Sequence, residues 1–202
     1  MILLIGSEGS MGKRYQSILN YIGKAYVPHD QVTGGNYDEK LEKCDHVIIA
    51  SPTWTHHDYL LSLAGKGKRV LCEKPITHDK KQFNKIVNAW SSGGLTMMMQ
   101  YKELLVGHDH KSYNGETYYD YYHSGRDGLD WDCIQIIALA NTRPTLNNKS
   151  PIWKCCINGV EIERGDMDQA YVNYVQRWLM GADQSIFEII EAHEKVWLYQ
   201  NQ

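Results

Sequence analysis

Lys74 stands in Glu73-Lys74-Pro75, directly after the apolar run Val70-Leu71-Cys72, and about sixty residues upstream the chain carries a glycine-rich turn. A lysine at the carboxyl end of a buried strand can polarise or deprotonate an alcohol, because ligands of open α/β sheets bind at that end. The upstream turn runs from the apolar stretch Met1-Ile2-Leu3-Leu4-Ile5 through Gly6-Ser7-Glu8-Gly9-Ser10-Met11-Gly12 into the helical pattern of Lys13 to Leu19. Glycines let backbone approach a pyrophosphate closely, and a helix start supplies unpaired N–H groups and the positive end of its dipole. The expected cofactor-binding residues of this turn are Gly6, Gly9, Ser10, Met11 and Gly12, with the pyrophosphate over Gly9, Ser10 and Met11. The spacing is one residue longer between its first two glycines than the usual dinucleotide fingerprint, and a glycine turn without a ligand is the plain alternative.

A carboxylate near the end of the second strand would complete such a site by accepting from ribose hydroxyls. Asp30 lies eighteen residues after Gly12, at about that distance. If the strand ends at Val27, Asp30 is an ordinary loop aspartate; both readings stand, and NAD versus NADP stays open.

Positioning these groups takes a parallel sheet covered on both faces. The first hundred residues alternate strand and helix patterns, with strands expected at 1–5, 25–28, 46–50, 69–72 and 95–100. Covering helices are expected over 56–66 and 80–90, the second with Phe83, Ile86, Val87 and Trp90 on one face. After Tyr101 the pattern changes to a polar loop over 107–115, a tyrosine-rich strand over 117–123 and an apolar helix over 129–139. A hairpin follows through Asn158-Gly159, and two helices end the sequence. The expected architecture is α/β: a Rossmann-type dinucleotide-binding domain over 1–100 and a smaller α+β domain for substrate or oligomerisation over 101–202.

Composition narrows the functional classes. The 202 residues are 43% hydrophobic and carry a net charge of −3 with interspersed signs, which argues against nucleic acid as a partner. No apolar run reaches the roughly 18 residues of a membrane helix, and the apolar start stops too early for a signal peptide, so the expected address is cytoplasmic. Five cysteines, two of them adjacent, fit neither a disulfide framework nor a Cys-x-x-Cys metal site and read as reduced thiols. His108-Asp109-His110 reads as a solvated loop rather than a metal pairing, and no metal is expected.

Three segments together resemble the Gfo/Idh/MocA group of NAD(P)-dependent oxidoreductases, which act largely on sugars, cyclitols and related polyols. They are Ile5-Gly6 through Gly12-Lys13-Arg14-Tyr15, Ala50-Ser51-Pro52-Thr53-Trp54-Thr55-His56, and Glu73-Lys74-Pro75. The resemblance covers residues 1 to about 80 and thins past 100, where that group usually carries a much longer substrate domain. It implies NAD or NADP as cofactor, a cis Lys74–Pro75 peptide, and Lys74 reaching both nicotinamide and substrate hydroxyl. It also implies that Ser51, Pro52, Thr53 and Trp54 line the ribose and nicotinamide side. His56 reads equally as a helix-start residue or a functional one; His57 reads as solvated.

Members of the group carry an aspartate and, four residues later, a histidine on one helix. Here Gly128-Leu129-Asp130-Trp131-Asp132-Cys133-Ile134 matches the glycine and the aspartate but places Ile134 where the histidine belongs. Isoleucine moves no proton, so Lys74 would act with Asp130, Asp132 or another group, with His123 as a substitute. The tyrosines 118, 119, 121 and 122 suit either a sugar ring or a partner subunit, the latter making a homo-oligomer the expectation. Two readings follow: an oxidoreductase acting on a sugar- or polyol-like substrate, or an inactive dinucleotide-binding protein serving as sensor or assembly subunit.

Overall fold

A computed structural model describes residues 1–32, 34–108, 115–121, 129–182 and 184–201. The chain divides into two compact units, one of Met1–Met98 with Gln176–Ile189, the other of Met99–Val175 with Ile190–Gln202.

In the first unit the elements are β1 (Ile2–Ile5), α1 (Ser10–Tyr21), β2 (Tyr26–His29), α2 (Tyr37–Glu42), β3 (His46–Ile49), α3 (Thr53–Leu63), β4 (Arg69–Cys72), α4 (Lys80–Ala89) and β5 (Leu95–Met97). All five strands are parallel, in the order β2-β1-β3-β4-β5. Leu3, Leu4, Val47, Ile48, Ile49, Val70 and Leu71 are fully buried. Strands that are apolar on both faces leave no solvent-facing side, so helices must cover the sheet from above and below. Each such side chain stabilises the fold by about 1.5–3 kcal/mol through burial. This is the Rossmann-type sheet expected from the sequence.

A single cut near residue 100 would leave 176–189 with the second unit. Tertiary bonds tie this stretch to the first instead. Gln184 accepts the Met97 N–H at 2.9 Å, which occupies a donor of the edge strand β5. Arg69 donates to the Trp178 carbonyl at 2.7 Å and lies over its ring.

The second unit contains α5 (Tyr101–Leu104), β6 (Tyr118–Asp120), α6 (Leu129–Asp132), α7 (Ile134–Leu139), β7 (Thr145–Asn147), β8 (Lys154–Ile157) and β9 (Val160–Ile162). It also holds most of α8 (Met167–Leu179) and of α9 (Ile186–Gln200). Its sheet has the order β7-β6-β8-β9, with β6 and β7 parallel and the other pairs antiparallel. One core joins Tyr101, Leu105, Tyr119, Cys133, Ile136, Cys155, Ile157 and Ile162. At the expected turn Asn158 adopts a left-handed conformation, φ 52°, which its short amide tolerates. Its side chain accepts from Thr117 Oγ1 and the Asn141 N–H and donates to the Leu139 carbonyl, locking the hairpin to the end of α7.

Three expectations need correction here. The stretch 98–100 is not strand, because β5 stops at Met97 and the chain turns into α5. The apolar helix over 129–139 is two helices, interrupted at Cys133. The short polar elements α2 and β7 carry no apolar periodicity and were not expected at all.

Candidate active site

The strand order reverses direction between β1 and β3, since β1 connects outward to β2 and β3 connects the other way to β4. Such a switch point opens a crevice at the carboxyl ends of the two strands, where ligands of open α/β sheets bind. Ile5 and Ile49 are register partners there, and the turns that follow them touch. Gly6 has φ +79°, and a Cβ on it would sit 2.5 Å from the Ser51 nitrogen. A Cβ on Gly12 would collide with the Gly6 carbonyl oxygen and lie 2.6 Å from that of Ser7. Gly6 and Gly12 are therefore demanded by the fold itself. Gly9 is not: a Cβ there meets nothing nearer than the Gly6 oxygen at 3.5 Å. A Cβ there would be in ordinary contact only, so the fold does not demand this glycine, and the close approach of a ligand is the use its missing side chain would serve.

The helix starts agree. Asn36 caps α2 by accepting the Asp38 and Glu39 N–H groups, and Asp79 caps α4 by accepting that of Gln82. Neither α1, beginning after Gly9, nor α3, beginning after Pro52, has a side-chain cap or an acidic residue in its first turn. These two uncapped starts are the ones at the switch point, and they carry N–H groups and dipole ends suited to negative charge. Ser10 and Met11 lie in the first turn of α1, and the amide of Gln16 braces the turn by donating to the Ser7 carbonyl at 2.7 Å.

Asp30 follows the end of β2 directly, because that strand continues to His29 rather than stopping at Val27. Its carboxylate accepts the Glu8 N–H at 3.2 Å and the Val32 N–H at 3.0 Å. The carboxylate is thus held against the glycine turn.

On the other side of the switch point, Ser51 Oγ and Thr55 Oγ1 are 2.7 Å apart and Thr55 donates to the Pro52 carbonyl, fixing the turn into α3. Thr53 and Trp54 open that helix, and the Trp54 ring is 75% exposed. His56 is buried, with Nε2 at 2.9 Å from the Ser51 carbonyl and Nδ1 at 3.0 Å from the Pro75 carbonyl. It therefore joins the turn after β3 to the turn after β4, a role that neither sequence reading of His56 contained. Burial pushes its imidazole below the ordinary value, while the carbonyls of Ser51, Pro75 and Ile76 pull the other way. His57 departs from the solvated reading: its side chain is only 16% exposed and Nδ1 meets Asp58 at 2.9 Å.

Glu73, Lys74 and Pro75 follow β4, and the Lys74–Pro75 peptide is cis. Glu73 and Pro75 are buried and Lys74 is half-buried. Tyr15 of α1 donates to Glu73 at 2.7 Å; the sequence reading quoted Tyr15 within its motif and gave it no role. Burial pushes the Glu73 carboxyl up, against the pull of the Tyr15 hydroxyl and the cationic Lys74.

The first unit thus brings together Gly6, Gly9, Ser10, Met11, Gly12, Asp30, Ser51, Pro52, Thr53, Trp54, His56, Glu73, Lys74 and Pro75. Asp130 is a half-buried residue of α6 in the second unit, and Ile134, at the start of α7, is fully buried. His123, Tyr122, Gly128, Asp109 and His110 lie outside the described residues. Of the other tyrosines, Tyr119 is buried in the second core, Tyr118 donates to Glu161, and Tyr121 packs against that core beneath Arg164. His193 is buried between Trp131 and Trp197.

Comparison with known proteins agrees with this geometry. Residues 10–101 match a model of the oxidoreductase family GFO_IDH_MocA, NAD-binding Rossmann fold. A glucose-6-phosphate 3-dehydrogenase of Bacillus subtilis is 44% identical over 41 residues, which are 20% of this chain and 12% of that protein. An inositol 2-dehydrogenase of Rhodococcus erythropolis is 37% identical over 71 residues, 35% of this chain and 20% of that protein. The matched stretches are thus a small part of those relatives. Among solved structures, the WlbA (WbpB) dehydrogenase from Thermus thermophilus, in complex with NAD and UDP-GlcNAcA, superposes with a TM-score of 0.72 at 13% identity. That match covers 98% of this chain and 94% of the other. A myo-inositol dehydrogenase from Corynebacterium glutamicum gives 0.68 at 12% identity, covering 96% and 93%. At such identities the likeness speaks for the fold. Among the described residues, no helix is long and apolar enough to cross a membrane.

Proposed function

Since residues 10–101 belong to the Gfo/Idh/MocA oxidoreductases, with the NAD-binding Rossmann fold of that family, we propose that this chain transfers a hydride between a nicotinamide dinucleotide and a carbinol carbon of a sugar- or polyol-like substrate. The observation that carries the proposal is the convergence at one switch point of two uncapped helix starts, a glycine cradle and a strand-end lysine, with His56 joining the turns after β3 and β4.

The cofactor is NAD or NADP. When bound, its nicotinamide supplies the hydride donor or acceptor. The residues fit that group: the pyrophosphate would lie over Gly9, Ser10 and Met11, held by the backbone N–H groups of Ser10 and Met11, and Asp30 would accept from ribose hydroxyls. Asp30 supports NAD over NADP, because a carboxylate held at the turn repels a 2′-phosphate. Ser51, Pro52, Thr53 and Trp54 would border the ribose and nicotinamide side. Lys74 would hold and release the proton of the substrate hydroxyl, and Asp130 would orient the lysine or the substrate. His123 stays a candidate for the same proton transfer, given that Ile134 has no proton to move.

The names of the relatives, an inositol and a sugar-phosphate dehydrogenase, support the substrate class. The comparisons lend no support to an inactive sensor or assembly subunit. Five buried, unbridged cysteines suit a cytoplasmic address. Association with a second copy through the sheet of the second unit belongs to the same proposal, and sedimentation tests it. The deciding experiment is a fluorescence titration with NADH and NADPH, followed by turnover of a panel of polyols and keto-sugars with the cofactor that binds.

A further inference from the structure

Tyr15 is fully buried on α1, and its hydroxyl donates to Glu73 Oε1 at 2.7 Å across 58 residues of sequence. The second carboxylate oxygen, Oε2, accepts the backbone N–H of Lys74 at 3.3 Å. Both oxygens of a buried acid are therefore committed, one to the helix that begins at the glycine cradle and one to the lysine itself. A phenylalanine and a glutamine would fill the same space without burying a carboxylate, whose desolvation costs several kcal/mol unless it is well paired. Core packing alone gives no reason for the couple. What it provides is a rigid path from α1, whose first turn faces the cradle, to the main chain of Lys74. Pro75, the next residue, is held from α3 by His56 at 3.0 Å.

We propose that Tyr15 and Glu73 are positioning residues for Lys74, registering its turn against the helix that carries the phosphate cradle. The inference rests on Lys74 as the proton-handling group of the proposed reaction. Neither Tyr15 nor Glu73 exchanges a proton with substrate in this scheme. Their function is to hold the half-buried lysine in one orientation, so that little reorganisation is needed when the substrate arrives.

The test needs no substrate. The parent, Tyr15→Phe, Glu73→Gln and the double variant are treated with a limiting amount of an amine-acetylating reagent. Acetylation at Lys74 is then read by peptide mass spectrometry relative to Lys40 and Lys68. Those two lysines donate to backbone carbonyls elsewhere in the first unit and report general loosening. Each single variant is expected to raise the Lys74 ratio by roughly three- to tenfold, the scale of one ordinary hydrogen bond. The double variant should exceed neither single by much, because both act through one couple. An unchanged ratio, or an equal rise at the reference lysines, overturns the proposal. So does a Tyr15→Phe chain that fails to fold, since the couple would then be structural; if only Glu73→Gln fails, Tyr15→Phe decides. NADH titration of the parent stands apart: failure to bind sinks the oxidoreductase reading while the labelling ratios keep their meaning.

Discussion

Gly6 and Ser51 meet backbone to backbone at the switch point, so closely that a Cβ on Gly6 would lie 2.5 Å from the Ser51 nitrogen. The three glycines of the turn consequently separate by what they serve. Gly6→Ala and Gly12→Ala force main chain apart, and each should cost more than about 2 kcal/mol in urea unfolding. Gly9→Ala has room and should stay within about 1 kcal/mol of the parent. Gly9→Val should keep the fold and abolish NADH binding. A folded Gly9→Val that binds NADH as tightly as the parent in a fluorescence titration removes the phosphate cradle from this turn.

In the proposed site Asp30 would carry the choice of dinucleotide. Its two oxygens accept the Glu8 and Val32 N–H groups, which would hold the carboxylate near a bound 2′-phosphate. NADH should bind at least roughly tenfold more tightly than NADPH, the scale of one charged hydrogen bond gained or lost. Asp30→Ser should narrow that ratio, mainly by weakening NADH. Equal dissociation constants for the two cofactors in the parent would exclude Asp30 as the selecting group.

Elements whose signal is local were legible in the sequence. The buried strands β1, β3, β4 and β5 announce themselves as short apolar runs, and the glycine turn announces the first strand-to-helix junction. What escaped depends on distant partners. Nothing around Tyr15 or His56 reveals acceptors 58 and 19 residues away, although both sit in segments singled out for other reasons. The strand β7 is three residues long and exists because its backbone pairs with β6, not because Thr145-Leu146-Asn147 is strongly strand-forming. Likewise 176–189 reads as the end of one helix and a loop, and only Gln184 meeting β5 and Trp178 meeting Arg69 tie it to the first unit.

His56 should make stability depend on pH. A buried imidazole with its folded value below the ordinary 6.5 binds its proton less readily than in the unfolded chain. Stability linked to it is therefore complete above about 6.5 and declines as pH falls from there toward the folded value. His29, also lowered by burial, acts in the same sense. Glu73 acts oppositely: its raised carboxyl contributes stability below the ordinary value of 4.5, which is lost as pH rises through the folded value. The urea midpoint should thus fall between about pH 7.5 and 5.5 in the parent. His56→Gln should be about 1–3 kcal/mol less stable near neutrality, because a buried carbonyl loses its donor, with a flatter decline on acidification. An equally steep decline in that variant would assign the pH dependence to other groups.

In the proposed reaction Lys74 is the decisive residue. It follows β4 at the carboxyl edge of the sheet, between a buried Glu73 and a buried Pro75 that are held from α1 and α3. Ile134 is fully buried and has no proton to give, so under the proposed function the burden of activating the substrate hydroxyl would fall on the lysine. Removing an acid/base group typically costs about 10² to 10⁴ in rate. Lys74→Ala should lose turnover by that factor and retain NADH affinity within a few-fold, since the cradle at α1 is untouched. Asp130→Asn, which keeps a hydrogen-bonding group of the same shape, should lose less if it only orients the lysine or the substrate. Steady-state kinetics on whichever polyol or keto-sugar the parent accepts will check both. An undiminished kcat in Lys74→Ala would take the lysine out of the mechanism and turn attention to Asp130 and His123.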